Sequence, residues 1–150
     1  MAALVIFGGA SALVAGLGSW ITAESVESQW FAALAKPAFY PPEASFGIVW
    51  TILYVLIAVS VWIAWRGGGR AEVLIPWFIQ LVLNLGWTMA FFGARAPEMA
   101  MVVIIALLGA AIWTAVAMWP HSRAAASMFA PYILWVAFAA ALNWSIVALN

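Results

Sequence analysis

The sequence contains no cysteine, and charged residues occupy only 7% of its 150 positions. The absence of cysteine excludes disulfides, thiolate metal sites and a cysteine nucleophile. Soluble domains carry about 25% charged residues, so the composition also excludes a water-soluble protein. Five basic and five acidic residues give a net charge of zero, and this balance provides no electrostatic basis for binding nucleic acid. Apolar side chains must therefore carry most of the structure and the function.

The few charges are confined to the gaps between long apolar runs. A helix needs about 20 apolar residues to cross a bilayer, and a charge at its centre costs roughly 3 kcal/mol or more. Five uncharged runs of this length predict an all-α membrane protein, a five-transmembrane-helix bundle that forms one domain over residues 1–150. The runs cover residues 2–22, 46–65, 73–93, 99–119 and 124–149.

Local signals predict where these helices begin and end. Ser45 is a suitable N-cap for the second run, and Gly67 is a suitable C-cap. Pro76 is tolerated in the first turn of the third run, whereas Pro131 predicts a late start or a kink in the fifth. No basic segment precedes the first run, as it would in a signal peptide, so we expect this run to remain as a helix.

The first connection, residues 23–44, differs from the three short ones that follow. It contains three prolines, several charges and four aromatic residues, namely Trp30, Phe31, Phe39 and Tyr40. A connection of this length in a compact bundle is usually functional or disordered, and the aromatic residues argue against disorder. We expect a short amphipathic helical turn near residues 27–34, followed by a proline-stiffened crossing that forms a lid. The alternative is a loop that rests on lipid headgroups.

Five crossings place the first connection, the third connection and the C-terminus on one side of the membrane. Aromatic and amide side chains of three helices fall in the adjacent half of the bilayer, together with aliphatic residues of the last helix: Trp50 and Tyr54; Gln80, Asn84, Trp87 and Phe91; Trp135, Ala139, Leu142, Asn143 and Ile146. Spacings of three and four place most of each set on one helix face. Flat aromatic rings with few polar groups favour a pocket for a large planar apolar ligand.

Two polar residues allow more than one interpretation. An asparagine at the depth of Asn84 is costly unless it is paired or faces a cavity. Asn84 could bond a neighbouring helix or contact a ligand, and the nearby tryptophans favour the pocket. His121 lies in the fourth connection on the opposite side, so we expect a surface histidine that a ligand in the pocket cannot reach.

Several short motifs occur in a fixed order along the chain. They are Trp30, Lys36-Pro37, Pro41-Pro42, Trp50-Thr51-Ile52-Leu53-Tyr54, Gln80-Leu81 with Asn84 and Trp87, Phe91-Phe92-Gly93-Ala94-Arg95, Pro131-Tyr132-Ile133-Leu134-Trp135 and Leu142-Asn143-Trp144. With these motifs, the chain resembles a bacterial-type member of the translocator protein family, whose members are also called tryptophan-rich sensory proteins or peripheral-type benzodiazepine receptors. The resemblance covers essentially the whole chain.

This resemblance implies a five-helix bundle, commonly a homodimer, with a pocket capped by the first connection. It implies binding of porphyrins such as protoporphyrin IX, and of isoquinoline carboxamide or benzodiazepine-type ligands, with no required cofactor. The ligand-binding residues that we predict from the resemblance and from the helix faces are Phe31, Phe39, Pro41, Trp50, Tyr54, Asn84, Trp87, Trp135, Ala139, Leu142 and Asn143. We therefore expect a multi-pass membrane receptor or carrier, in contact with lipid, that acts in tetrapyrrole transport or stress regulation.

Two departures from the family pattern bear on alternative functions. Many bacterial members carry Trp-Trp or Ser-Trp after the Lys-Pro pair, but this chain has Ala38-Phe39, which weakens the case for a light- and oxygen-dependent porphyrin-degrading enzyme. In the sterol motif of animal members, Trp144 replaces a tyrosine and no basic residue follows. Such motifs are weak even when intact, so the second alternative, a sterol- or lipid-binding transporter, gains no support from this motif.

Overall fold

A computed structural model describes residues 1–150 as six α-helices and one π-helical segment. The α-helices are α1 (Ala2–Val26), α2 (Gln29–Ala33), α3 (Glu43–Arg66), α4 (Ala71–Thr88), α5 (Pro97–Met118) and α6 (Arg123–Leu149), and the π-helical segment, Met89–Gly93, directly continues α4. Five helices are long and apolar enough to cross a membrane, with α4 and the π-helical segment counted as one. In hydrocarbon there is no water to pair with the backbone N–H and C=O groups, and a helix satisfies their hydrogen bonds within its own segment. The prediction of five transmembrane helices is confirmed.

The ends of α3 follow the sequence signals only in part. Gly67 is the C-cap, and its N–H donates to the carbonyl oxygen of Ile63. The helix begins at Glu43 with Pro42 as the N-cap, so the prediction of Ser45 as the N-cap is wrong. The extended backbone of Pro42 leads directly into the helix, and the carboxylate of Glu43 in the first turn interacts favourably with the helix dipole.

The two helices that contain an internal proline begin earlier than predicted. α4 begins at Ala71, so Pro76 lies in its second turn. α6 begins at Arg123, where the Ser122 hydroxyl caps it by accepting a hydrogen bond from the Ala125 N–H at 3.2 Å. The helix continues through Pro131, so a late start is wrong. The side-chain cap satisfies one free N–H of the first turn and so stabilises the early start.

The short connections make consecutive transmembrane helices antiparallel, and α1 runs parallel to α4. Two contacts fix the register of this parallel pair. Phe7 packs edge-on against Trp77 with ring centroids 5.2 Å apart, and a Cβ added to Gly18 would lie 3.8 Å from Thr88 Oγ1. Both contacts join residues 70 positions apart in the chain. α5 packs against α4 and α6, while α1 packs against α3 and α4.

Large apolar side chains fill the core and also cover the outer surface. Phe129 and Tyr132 are fully buried between the helices, whereas Val5, Ile52 and Val102 are more than half exposed. An exposed apolar surface of this extent is stable in lipid and unstable in water. The chain is an integral multi-pass membrane protein.

The segment between α1 and α3, residues 27–42, forms a lid over one end of the bundle. Its short helix α2 is capped by Ser28, whose hydroxyl accepts from the Phe31 N–H at 3.3 Å. The Asn150 side chain makes two hydrogen bonds to Ala35, accepting from its N–H at 3.0 Å and donating to its carbonyl oxygen at 3.1 Å. The lid and the end of α6 therefore lie on the same side, and the expected helical turn is confirmed.

One close backbone approach at the opposite end generates a stability prediction. A Cβ added to Gly67 would overlap the backbone carbonyl of His121, so a side chain there would separate the α3–α4 and α5–α6 connections. We expect Gly67→Ala to destabilise the protein by about 1–3 kcal/mol, measured as a lower thermal midpoint in detergent. Gly8→Ala is the matched control, because nothing lies within 4 Å of its added Cβ. Equal midpoints for the two variants would contradict this packing.

Candidate ligand-binding site

A cavity of about 240 Å³ lies beneath the lid, between α1, α3 and α4. Seventeen residues line it: Ala15, Gly18, Ser19, Thr22 and Val26 of α1; Phe31 and Tyr40 of the lid; Glu43, Phe46, Gly47, Trp50, Thr51 and Tyr54 of α3; Asn84, Trp87 and Thr88 of α4; and Phe92. The end of the cavity bounded by Phe31, Tyr40 and Glu43 is its mouth. Ring and methyl groups form most of the wall, and hydroxyls of α1 supply polar groups on one side.

Trp50 is the centre of the aromatic wall. Its ring lies 5.7 Å from that of Tyr54 and 6.3 Å from that of Trp87, with ring planes inclined by only 33° and 32°. The rings of Tyr132 and Trp135 pack edge-on behind it at 6.4 and 6.5 Å. These offset and edge-on arrangements are the favourable ones for aromatic pairs. The wall therefore presents several flat faces to the cavity and is supported from behind.

A chain of side-chain hydrogen bonds joins three helices below this wall. The Tyr54 hydroxyl donates to Asn84 Oδ1 at 2.6 Å, and Asn84 Nδ2 donates to the Tyr132 hydroxyl at 3.1 Å. That hydroxyl donates to Gln80 Oε1 at 2.8 Å. The chain joins α3, α4 and α6 at a depth where water is scarce and unpaired polar groups are costly. Asn84 thus has a structural role between helices, and it also lines the cavity.

A second amide holds Trp87 in place. The Trp87 indole N–H donates to Asn143 Oδ1 at 3.1 Å, and Asn143 Nδ2 donates to the carbonyl oxygen of Pro97 at 2.8 Å. Asn143 is almost completely buried and lies behind the indole ring, away from the cavity. Its function in the structure is to fix the orientation of Trp87 and to connect α6 to the start of α5.

The structure brings together some of the predicted ligand-binding residues and not others. Five of the eleven line the cavity: Phe31, Trp50, Tyr54, Asn84 and Trp87. The other six do not: Phe39, Pro41, Trp135, Ala139, Leu142 and Asn143. Helical spacing shows which residues share a face, but it does not show which neighbouring helix covers that face.

Four of the six residues outside the cavity are displaced for identifiable reasons, in addition to Asn143, which lies behind Trp87. α6 packs against α5 and α3, so Ala139 and Leu142 are buried in helix contacts. Trp135 lines a membrane-facing groove between α3 and α6. Phe39 is half-exposed and packs edge-on against Phe138 at 6.3 Å. α1 takes the position beside the cavity that the spacing had suggested for α6.

The π-helical segment determines whether Phe91 or Phe92 faces the cavity. The Ala94 N–H bonds to the carbonyl oxygen of Met89 at 2.7 Å, five residues back, so this turn holds one extra residue. Spacings of three and four had placed Phe91 on the same face as Trp87. With the extra residue, Phe92 lines the cavity, and Phe91 is buried against Trp30 at 6.1 Å. Such π turns occur frequently at functional sites.

Sequence reasoning did not identify the α1 wall or the first turns of α3. Small residues along α1, including Gly18 and Ser19, leave space for the cavity, and Thr22 continues this wall. The small-residue face that includes Ser19 was visible in the sequence, but it is equally typical of a close helix contact. Only the parallel register of α1 and α4 places these residues opposite Thr88 and below the lid.

Tyr40 and Glu43 give the mouth its electrostatic character. Burial, and secondarily the nearby Glu43 carboxylate, raises the pKa of the Tyr40 hydroxyl to about 12. The phenol therefore stays protonated and neutral at physiological pH. Glu43 is exposed and is the charged residue among those that line the cavity.

The sequence matches the family model of the TspO/MBR family over residues 3–149. The chain belongs to the TspO/MBR family. Among its relatives in this family, the Tryptophan-rich protein TspO of Archaeoglobus fulgidus is 44% identical over 135 residues, covering 89% of this chain and 87% of the relative. The Translocator protein of Homo sapiens is 34% identical over 142 residues, with 89% and 84% covered. Protein CrtK of Rhodobacter capsulatus is 34% identical over 128 residues, with 81% and 78% covered.

The hydrogen-bond chain of this TspO/MBR-family protein generates a second stability prediction. Tyr132→Phe removes both a donor to Gln80 and an acceptor for Asn84, whereas Tyr54→Phe removes only one donor. We expect Tyr132→Phe to cost about 2 kcal/mol and Tyr54→Phe about half as much, measured as unfolding free energies in mixed micelles. Tyr40→Phe is the control, because the hydroxyl of Tyr40 lies outside this chain of bonds. A smaller cost for Tyr132→Phe than for Tyr54→Phe would contradict the assignment.

Proposed function

We propose that this protein is a membrane receptor or carrier that binds porphyrins such as protoporphyrin IX, and other large planar apolar ligands, in the cavity beneath the lid. The observation that carries the proposal is the cluster of Trp50, Tyr54 and Trp87 on the cavity wall, where the ring of Trp50 contacts both other rings with its plane inclined to theirs by 33° and 32°. Flat π-faces with few polar neighbours match the surface of a macrocycle. A role in tetrapyrrole transport or stress regulation follows from such binding.

The size of the cavity bears on how a porphyrin would bind. Drug-sized ligands occupy pockets of about 300–1,000 Å³, and the cavity measures about 240 Å³. A porphyrin would therefore bind with part of its ring outside the cavity or with the lid displaced. The lid is held mainly by ring contacts and by the two hydrogen bonds between Ala35 and Asn150, so displacing it breaks few interactions.

Substitution of the tryptophans tests the proposed site. We expect Trp50→Ala to weaken binding of protoporphyrin IX at least tenfold, roughly the effect of removing a central aromatic anchor, as measured by titration of the porphyrin Soret band. Trp135→Ala should have a smaller effect, since Trp135 supports Trp50 from outside the cavity. Trp113, half-exposed on α5, provides the control. If Trp50→Ala and Trp113→Ala bound the porphyrin equally well, the cavity would not be the site.

The position of His121 generates a prediction for iron porphyrins. Its Nε2, in the connection between α5 and α6, lies 3.0 Å from Oε1 of Glu72 in the first turn of α4, at the end opposite the lid. A porphyrin in the cavity cannot reach this side chain. We expect His121→Ala to leave the affinity and the absorption spectrum of bound haem unchanged, and a loss of binding in this variant would place the ligand elsewhere.

A second candidate function is light- and oxygen-dependent breakdown of the bound porphyrin. The contact between the oxidisable rings of Trp50, Tyr54 and Trp87 favours it, because these rings would lie beside a photosensitiser. Its test is the Soret absorbance of the illuminated complex in air, compared with the same porphyrin in protein-free detergent. Faster bleaching with protein, and its loss in Trp50→Phe, would support an enzyme. Equal rates would eliminate it.

A further inference from the structure

We propose that the end of the bundle opposite the lid binds the headgroup of an anionic phospholipid, and that Arg66 and Arg123 contact its phosphate. This site is independent of the proposed function, because the ligand cavity lies at the other end of the helices. It gives a role to charged side chains that the cavity leaves unexplained.

The zero net charge of the chain conceals an uneven distribution between its two ends. The side chains of the end opposite the lid include three arginines and one glutamate, a net charge of +2, at Arg66, Arg70, Glu72 and Arg123. Those of the lid end include four glutamates, one lysine and one arginine, a net charge of −2. A positive end at the membrane surface attracts anionic lipids.

Two of the charged groups at the positive end have their partners within the protein. Oε1 of Glu72 accepts a hydrogen bond from the Arg70 N–H at 3.0 Å and lies 3.0 Å from His121 Nε2. The guanidinium of Arg70 donates to the carbonyl oxygens of Trp65 and Gly69 at 2.8 and 3.0 Å. The single carboxylate of this end therefore pairs with groups other than Arg66 and Arg123.

Arg66 and Arg123 are exposed cations that lie over tryptophan rings near the helix ends. Neither has a carboxylate oxygen within 4 Å. Cζ of Arg66 lies 5.2 Å from the ring centroid of Trp62, and Cζ of Arg123 lies 5.7 Å from that of Trp119. Tryptophans at the ends of transmembrane helices lie at the level of the lipid headgroups, and the ring faces attract the cations. Both guanidiniums are thus held at the depth of phospholipid phosphates.

A pocket of about 300 Å³ lies where the α3–α4 and α5–α6 connections meet. The residues that line it are Trp62, Ile63, Arg66, Gly67, His121 and Ser122. The close backbone contact between Gly67 and His121 brings Arg66, one residue from Gly67, and Arg123, two residues from His121, to the same surface. Basic pockets between transmembrane helices are typical binding sites for acidic lipid headgroups.

The lining of this pocket favours a lipid over a soluble phosphate. Trp62 and Ile63 provide apolar surface beside the guanidinium of Arg66, and a phospholipid brings glycerol and acyl carbons to this surface together with its phosphate. Guanidinium groups also match the geometry of phosphate oxygens. A zwitterionic lipid carries a choline cation that offsets the attraction, so the site selects a headgroup with a net negative charge.

The test compares dioleoyl phosphatidylglycerol with dioleoyl phosphatidylcholine, which have the same acyl chains and differ in headgroup charge. Each lipid is titrated into the purified protein in a non-ionic detergent, and the lipid-bound fraction is measured by native mass spectrometry. Glycerol 3-phosphate is the soluble probe, since it carries the phosphate without acyl chains. The variants are Arg66→Met, Arg123→Met and the double variant. Arg95→Met is the matched control, because Arg95 lies over a tryptophan ring, Trp30, at 5.9 Å at the lid end.

We expect the wild-type protein to bind phosphatidylglycerol at least about tenfold more tightly than phosphatidylcholine, because each arginine beside an anionic headgroup contributes about fivefold. Each single variant should weaken phosphatidylglycerol about fivefold and change phosphatidylcholine by less than about twofold. The double variant should lose the preference, and Arg95→Met should retain it. Thermal midpoints in the same detergent verify that the variants are folded.

Each of four outcomes would overturn the inference. Equal affinities of the wild-type protein for the two lipids, or no binding of either, would show that this end selects no anionic lipid. An equal loss of both lipids in Arg66→Met would mean that Arg66 only packs on Trp62. A loss in Arg95→Met as large as that in Arg66→Met would indicate attraction without a defined site. Binding of glycerol 3-phosphate as tight as that of phosphatidylglycerol would assign the pocket to a soluble anion.

Discussion

In the hydrocarbon core of a bilayer an unpaired polar group is costly, and the hydrogen bonds that pair the buried amides and phenols of this bundle constrain how its helices meet. The bonds from Tyr54 through Asn84 and Tyr132 to Gln80 can form only if α3, α4 and α6 meet at one depth and in one rotation. Apolar packing in lipid specifies helix rotation weakly, because lipid tails are as apolar as the side chains. The amides and phenols therefore set the geometry on which the aromatic wall depends.

The same constraint links the cavity to the rest of the bundle. Asn84 contributes both to the wall and to the hydrogen-bond chain, and Asn143 holds the indole of Trp87 while bonding to the start of α5. Asn84 and Trp87 of α4 are thus bonded directly to α3 and α6, and through Asn143 to α5. The π-helical turn adds a further adjustment by placing Phe92 on the wall and Phe91 against the lid.

The lid and the cavity mouth depend on weaker and more exposed interactions. The ring contacts of Trp30 and Phe31, the cation at Lys36 and the amide of Asn150 hold the lid. Phe31 is buried, but the hydrogen bonds of Asn150 to Ala35 are exposed. The bundle below the wall is joined by buried side-chain hydrogen bonds, whereas the lid is joined to α6 by exposed ones.

The sequence by itself determined the five transmembrane helices, because charge exclusion from lipid acts locally along the chain, and the ordered motifs showed the resemblance to the family and its aromatic lid. It also identified Phe31, Trp50, Tyr54, Asn84 and Trp87, which all line the cavity. Only the tertiary structure decided that α1, and not α6, completes the wall, and that Trp135 and Asn143 lie behind it. Periodicity shows which residues share one face of a helix. Which neighbouring helix covers that face depends on the register between helices and on hydrogen bonds between residues as distant in sequence as Asn84 and Tyr132.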